Sequence, residues 1–257
     1  MKIIVSLTTS PKRIFNIKPV IYSILNQTVK PSKLVLNIPN IYERTNEKYE
    51  IPLWLTLEKK VHLNFCKKDY GPITKLVPTL KLISNKKYKN CYIITIDDDI
   101  RYPLNMVETY YKFLTDNPHV YAAGLSGFNF INFRIYPILT HTSVHILEAY
   151  ASVIYFASIF DESFNKYLDI TMYNPSCKYS DDFIISNYLG LKKITRLNLS
   201  LPNFNRTQFI ESGSILKIGL ENDALHKGGC KFSPTLNSER YIEVANFLES
   251  KKLLSIF

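Results

Sequence analysis

Tryptophan occurs once in the 257 residues, at Trp54, and cysteine only four times. Cys66, Cys91, Cys177 and Cys230 are widely spaced with no CxxC pair among them, which argues against a zinc site. The set reads as reduced thiols of a cytosolic protein, with Cys91 a small core residue. Long apolar runs are missing too. The run at residues 3–7 is too short for a signal-peptide core or a membrane span, and no other stretch approaches the roughly 18 apolar residues a span needs. In a cytosolic protein the sequons at Asn26, Asn198 and Asn205 are chance matches. There is no long basic tract: lysines come in pairs such as Lys59–Lys60, Lys67–Lys68, Lys86–Lys87 and Lys192–Lys193. The net charge of +10 therefore attracts anions in general, from nucleotides to acidic glycans and membrane headgroups. It supports nucleic-acid binding only weakly. No internal repeat, low-complexity segment or linker divides the chain, so one domain is expected over residues 1–257.

The composition is that of an ordinary globular protein, 46% hydrophobic and 21% charged, and the length suffices for a large α/β core. Its focal stretch is CYIITIDDDIRYP, residues 91–103. An apolar, β-branched run suited to a strand buried on both faces stops at Asp97, Asp98 and Asp99. Three adjacent carboxylates repel one another beside a buried strand. A hard divalent cation, Mg2+ or Mn2+, would offset that repulsion. In extended chain Asp97 and Asp99 share a side and Asp98 faces the other, unless a turn intervenes. The alternative is a polar loop in which Asp98 or Asp99 caps the next helix.

Strands are expected at residues 3–7, 33–38, 61–65 and 92–96. Helices are expected from Pro11 onward, where Ile14, Ile17, Ile21 and Ile24 recur at helical spacing, and at residues 73–83, where Pro78 kinks the helix or marks its start. Trp54 anchors the irregular segment 39–58 to the core. This alternation predicts a parallel α/β sheet with crossover helices. Beyond Pro103 a helix runs to about residue 116, then a strand at 120–125, a loop at 126–142, a bent strand at 144–156 and a helix at 158–167. Ser180 is a plausible N-cap for a helix whose first turn carries Asp181 and Asp182. Weak strands at 194–199 and 214–218, a loop LHKGGCKFS and a closing helix at 238–248 complete the chain.

Five elements occur in a telling order: a short first strand followed by TT and an Arg, DYGPITKL before a helix, a strand ending in DDD, SDD opening a late helix, and HKGG near the end. Together they resemble the GT-A type glycosyltransferases with a DxD-type acidic motif, of the small nucleotide-sugar-dependent kind in bacterial and large-virus glycan clusters. The resemblance covers nearly the whole chain. It implies one Rossmann-like α/β domain with a mostly parallel central sheet flanked by helices, a nucleotide-binding half over about 1–100 and an acceptor-binding half over about 101–257.

By that resemblance Thr8, Thr9 and Arg13 line the nucleotide pocket, against a plain reading as turn and helix start. Asp69 and Lys75 flank the base and the ribose or phosphate, although Lys75 reads equally as a solvated helix charge. Asp97 contacts ribose, with Asp98 beside it in the donor site. Asp99, with Asp97 and His226, binds the metal that neutralises the departing diphosphate. Lys227 meets phosphate, and Gly228 and Gly229 let that loop close. Asp182 is the general base of an inverting transfer, with Asp181 as its neighbour; the plain reading makes both acids helix N-terminal residues. Residues 148–152 would lie at the acceptor side, where relatives carry Gly in place of Ala149 or Ser152. His141 and His145 lie nearby and read as structural. The implied partners are a nucleotide-sugar donor, typically a UDP-sugar, and a glycan or glycoprotein acceptor. No nucleic acid or membrane span is expected, and peripheral headgroup contact is compatible with the charge.

A retaining transfer on the same scaffold stays open. A haloacid-dehalogenase-type phosphohydrolase also puts Asp-x-Asp after a strand, but near the start of its fold and with Thr or Val soon after, whereas here three strands precede and Ile100–Arg101 follow. A nucleic-acid-binding module fits the charge, yet a carboxylate triplet in its cleft would repel phosphate.

Overall fold

The structure, a computed structural model, describes residues 1–84, 90–199, 225 and 237–256. Strands and helices alternate through the first part: β1 (Lys2–Thr8), α1 (Lys18–Leu25), β2 (Lys33–Pro39), α2 (Leu53–Leu57), β3 (Val61–Cys66), α3 (Val77–Ile83) and β4 (Cys91–Thr95). There follow α4 (Met106–Asp116), β5 (Ala122–Gly124), β6 (Gly127–Ile131), β7 (Arg134–Ile138), β8 (Thr142–Ser143), β9 (Ile146–Leu147), β10 (Val153–Phe156), α5 (Glu162–Thr171), α6 (Pro175–Lys178), α7 (Asp181–Leu191), β11 (Leu197–Asn198) and a last helix, Asn237–Ser250.

Eight strands form the central sheet in the order β3-β2-β1-β4-β10-β5-β11-β8. The four strands of the first part are parallel, and β1 pairs through Ile4 with Lys33 of β2 and Ile93 of β4. Both faces of β1 are covered. Ile3, Val5 and Leu7 enter one hydrophobic cluster with α1 and α4, and Ile4 enters the other with α3, α7 and the last helix. That division is the period-two alternation of a strand; each fully buried Ile, Val or Leu contributes about 1.5–3 kcal/mol. The chain steps outward from β1 to β2 and β3, then returns to the other side of β1 for β4. The carboxyl ends of β1 and β4 thus flank a topological switch point, where open α/β sheets leave a crevice for ligands.

The expected mostly parallel α/β sheet flanked by helices is what the structure has. Several local expectations are corrected. The first helix starts at Lys18, not Pro11: residues 13–15 make a single 3-10 turn, although Ile14, Ile17, Ile21 and Ile24 form the buried face as anticipated. Pro78 marks a start: Gly71–Lys75 is a 3-10 turn, and Pro78 sits in the first turn of α3, where no N–H partner is lost. Residues 126–142 are no loop, because β6 and β7 form a hairpin turning at Asn132 and Phe133, both with positive φ. The bent strand at 144–156 is two strands, β9 and β10, separated by a 3-10 turn at Ala149–Ala151. The helix expected at 158–167 is instead a 3-10 turn at Ala157–Ile159 and then α5, which Asp161 caps by accepting from Ser163 N. The strand expected at 214–218 lies outside the described residues. Trp54 packs against the core as expected.

Ser152, just before β10, holds φ +88°, a region that glycine occupies without strain. It is fully buried, and the Tyr110 hydroxyl lies 3.0 Å from both its carbonyl and its hydroxyl. This is one of the two positions where relatives were expected to carry glycine.

Candidate functional site

A cleft of about 1020 Å³ opens at the carboxyl ends of β1 and β4. Thr8 ends β1 on its rim and Thr9 follows it. The Thr8 hydroxyl donates to the Asn37 carbonyl at 3.0 Å, and the buried Thr9 hydroxyl donates to Asp98 Oδ2 at 2.6 Å. Arg13, on the 3-10 turn after β1, sends Nη1 to Asp98 Oδ1 at 2.9 Å and to Asp99 Oδ2 at 3.3 Å. The tight turn in place of a first helical turn is what carries Arg13 back over the sheet end.

The acidic triplet leaves β4 in a turn, so strand alternation does not govern it. Asp98 is the most buried of the three and faces Thr9 and Arg13. Burial raises its pKa, against the lowering pull of Arg13 and Thr9. The Asp99 carboxyl is pushed up to about 7, first by burial and then by Asp98 and Asp97. The Asp97 backbone N–H donates to the Tyr102 hydroxyl at 2.9 Å, and Tyr102 donates in turn to the Tyr150 carbonyl at 2.9 Å. The residues around 150 are thereby tied to the triplet.

Lys75 joins the two acidic groups. Its Nζ lies 2.5 Å from Asp97 Oδ1 and 3.0 Å from Asp181 Oδ2, with only 5% of the side chain exposed. The contact with Asp181 is an ion pair by distance without hydrogen-bond alignment. Burial disfavours the charged lysine, but Asp181 and Asp97, then Asp182, outweigh it and hold its pKa well above the usual value. The reading of Lys75 as a solvated helix charge is therefore excluded by its burial. Its main chain is also fixed: the Ser6 hydroxyl donates to the Lys75 carbonyl at 2.5 Å, and Ser6 belongs to a buried polar network with Asn37 and Thr79.

Asp181 and Asp182 open α7. Ser180 precedes it but makes no side-chain cap; its hydroxyl accepts from Arg240 Nε at 3.0 Å instead. Asp182 Oδ1 accepts from the Ala149 N–H at 3.0 Å. Burial and the neighbouring Asp181 raise its pKa well above the ordinary carboxylate range, against the pull of Lys75. The helix N-terminus alone would predict a more acidic group; desolvation wins because the carboxyl sits inside the cleft wall.

Asp69 lines the cleft but uses both oxygens to hold its own turn. Oδ1 accepts from Gly71 N at 2.8 Å and Thr74 Oγ1 at 3.2 Å, and Oδ2 from Glu43 N at 2.9 Å. Gly71, with φ +69°, allows a close backbone approach: a Cβ there would meet the Lys178 carbonyl at 2.8 Å. His226, Lys227 and their glycines lie outside the described residues. The sequence reading overlooked Arg240, which is 2% exposed and reaches the cleft from the last helix. Its signal was an arginine at helical spacing with Val244 and Leu248, both fully buried. Glu148 and Tyr150, from the segment singled out in the sequence, line the cleft, whereas Tyr102 and Ser126, which hydrogen-bond the Tyr150 carbonyl at 2.9 Å and Glu148 at 2.6 Å, were not anticipated.

Among the described residues no three His, Cys, Asp or Glu side chains form a ready metal cage. Asp97 and Asp99 keep 32% and 20% of their side chains exposed, and burial, then Asp98 and Asp97, raise the Asp99 carboxyl against the lowering pull of Arg13 and Lys75. Such a pair fits a hard cation that takes its remaining oxygens from a phosphate ligand and water, the usual arrangement for Mg2+.

No family model matches the chain, and no curated relative does either. Solved structures do. TarS residues 1–349 from S. aureus in complex with UDP-GlcNAc aligns at 16% identity with a TM-score of 0.50, over 78% of this chain and 56% of that one. A longer S. aureus TarS aligns at 12% identity, also with a TM-score of 0.50, over 96% and 43%. A 2-C-methyl-D-erythritol 4-phosphate cytidylyltransferase from Francisella tularensis aligns at 10% identity and 0.42, over 82% and 97%. The chain thus spans about half the length of the TarS structures. At these identities the likeness to TarS shows a shared α/β fold alone. No helix among the described residues is long and apolar enough to cross a membrane.

Proposed function

We propose that this protein is a metal-dependent glycosyltransferase that moves a sugar from a nucleotide-sugar donor, a UDP-sugar, to a glycan hydroxyl with inversion. The observation that carries the reading is Lys75, buried between Asp97 of the triplet and Asp181 of the late pair at the switch point of the sheet. One cation there serves both halves of a transfer site. The likeness to a fold solved with UDP-GlcNAc supports the choice of donor.

In this reading Thr8, Thr9 and Arg13 line the nucleotide end of the cleft, and Asp69 shapes it through the Gly71–Pro72 turn. Asp97 and Asp98 border the ribose. Asp97 and Asp99 would hold Mg2+ or Mn2+, and by the resemblance His226 would be a further ligand and Lys227 would meet the phosphates, both outside the described residues. The cation supplies neutralisation of the charge that builds on the departing diphosphate. Asp182 takes the proton of the acceptor hydroxyl as that oxygen bonds to the anomeric carbon and the bond to the diphosphate breaks. Its raised pKa makes it a stronger base than an ordinary carboxylate, and Lys75 favours the ionised form it needs. Asp181 orients Lys75.

The test is turnover of a UDP-sugar panel by the wild type and Asp182→Asn, with the UDP dissociation constant measured beside it. Loss of a positioned base costs about 10²–10⁴ in rate, while UDP affinity should stay within twofold. Normal turnover by Asp182→Asn would remove the named base and the inverting mechanism with it.

A further inference from the structure

A second hollow, of about 490 Å³, lies at the other end of α7, enclosed by the β8–β9 segment, residues 193–196 after the helix, and Ser255 and Ile256. Eleven residues of helix put it roughly 15 Å from Asp181 at 1.5 Å per residue. Its lining is basic and hydroxyl-bearing: Arg196, Lys193 and His145 with Ser143, Thr195 and Ser255, and no carboxylate among the described residues.

Arg196 is the unusual member. Its Nη1 donates to the Ser186 carbonyl at 2.9 Å, but among the described residues its Nε is buried without a hydrogen-bond partner and no carboxylate pairs with it. Burial lowers its pKa, as expected for a desolvated, uncompensated guanidinium. The carbonyl end of α7, which would otherwise repel an anion, is quenched. Tyr188, Leu189 and Gly190 carbonyls accept from the N–H groups of Lys192, Ile194 and Lys193, at 3.0, 2.9 and 2.9 Å. The walls are close-built: a Cβ on Gly190 would lie 1.9 Å from the Ser255 carbonyl and 2.9 Å from Arg196 Nη1.

We infer that this hollow is an oxyanion site that takes a phosphate ester, with Arg196 and Lys193 supplying the charge and the surrounding hydroxyls the remaining hydrogen bonds. A guanidinium that lines the hollow beside an exposed lysine is the side chain best matched to a phosphate oxygen. The hollow shares no lining residue with the cleft at Asp97–Asp99.

His145 is the local reporter, because the Arg196 charge already acts on it. The experiment follows its ring signals by NMR while methyl phosphate, dimethyl phosphate or acetate is added to the full chain. Methyl phosphate should give a saturable shift that is at least tenfold weaker in Arg196→Gln. Because Arg196 also holds the helix end, Lys193→Gln at an exposed position provides a second variant that keeps the fold, and it should weaken binding several-fold. A response to dimethyl phosphate as well identifies a phosphodiester-bearing ligand, and a response to methyl phosphate alone a monoester. No saturable shift, an unchanged affinity in both variants, or tighter binding of acetate would overturn the assignment. UDP binding in the cleft should be unaffected by either variant.

Discussion

Replacing Lys75 by methionine keeps the length of the side chain and removes one buried charge. In the wild type that charge faces Asp97 at 2.5 Å and Asp181 at 3.0 Å, and its own exposure is 5%. Removing one partner of a buried ion pair costs about 3–5 kcal/mol, because the other is left uncompensated. Two features reduce the loss. About a third of the Asp97 side chain is exposed, so water replaces part of its pairing. Asp182, whose pKa burial and Asp181 already push up, can bind a proton and relieve the acidic pair. The loss should therefore be largest near pH 8 and shrink toward pH 5.5. At roughly 2–4 °C per kcal/mol for a chain of this size, Lys75→Met should melt about 6–20 °C lower at pH 8. Adding Asp181→Asn to it should restore part of the loss, with a coupling of about 0.5–3 kcal/mol. The assay is thermal unfolding by circular dichroism of both single variants and the double variant at the two pH values. A Lys75→Met protein that melts within about 2 °C of wild type at pH 8, or strictly additive effects, would refute the account of Lys75 as the bridge between the acidic groups.

Asp99→Ala should leave the melting curve close to wild type in the absence of nucleotide and abolish the gain in UDP affinity that Mn2+ provides; a retained gain, read by calorimetry, would exclude Asp99 as a principal ligand. His145 has a pKa lowered by burial and by Arg196, partly opposed by its bond to Phe130. Its unfolded form therefore binds protons more tightly than its folded form, so its contribution is fully present above about pH 6.5 and is lost as pH falls through the lower folded value. The stability gap between wild type and His145→Gln, measured by urea unfolding, should narrow from pH 7.5 to pH 5.5; a constant gap would contradict the burial argument.

The sequence made the first four strands legible in two ways: residues 3–7, 33–38 and 92–96 carry largely apolar runs, as strands buried on both faces need, while residues 61–65 alternate apolar and polar, as suits a strand at the sheet edge. Observed boundaries differ by a residue or so. The second part was less legible. The β6–β7 hairpin turns at Asn132 and Phe133 without a glycine, so its turn carries no strong signal. Within the site, Asp97, Asp99, Lys75, Asp181 and Asp182 were all singled out, and all line one cleft. The orientation of Asp98 was not legible, because a turn after β4 replaces strand alternation. The raised pKa of Asp182 was not legible from the helix end alone, since its burial depends on β9, the 3-10 turn at 149–151 and the last helix coming together. Arg240 shows the same limit: its charge reads as surface until Ser180 is seen to pack against it.

Calorimetric titration of UDP into the wild-type chain, with and without Mn2+ and against CTP as competitor, tests the central claim most directly. The account predicts saturable UDP binding that strengthens at least tenfold with the cation and resists displacement by CTP. UDP binding indifferent to Mn2+, or a preference for CTP, would contradict it.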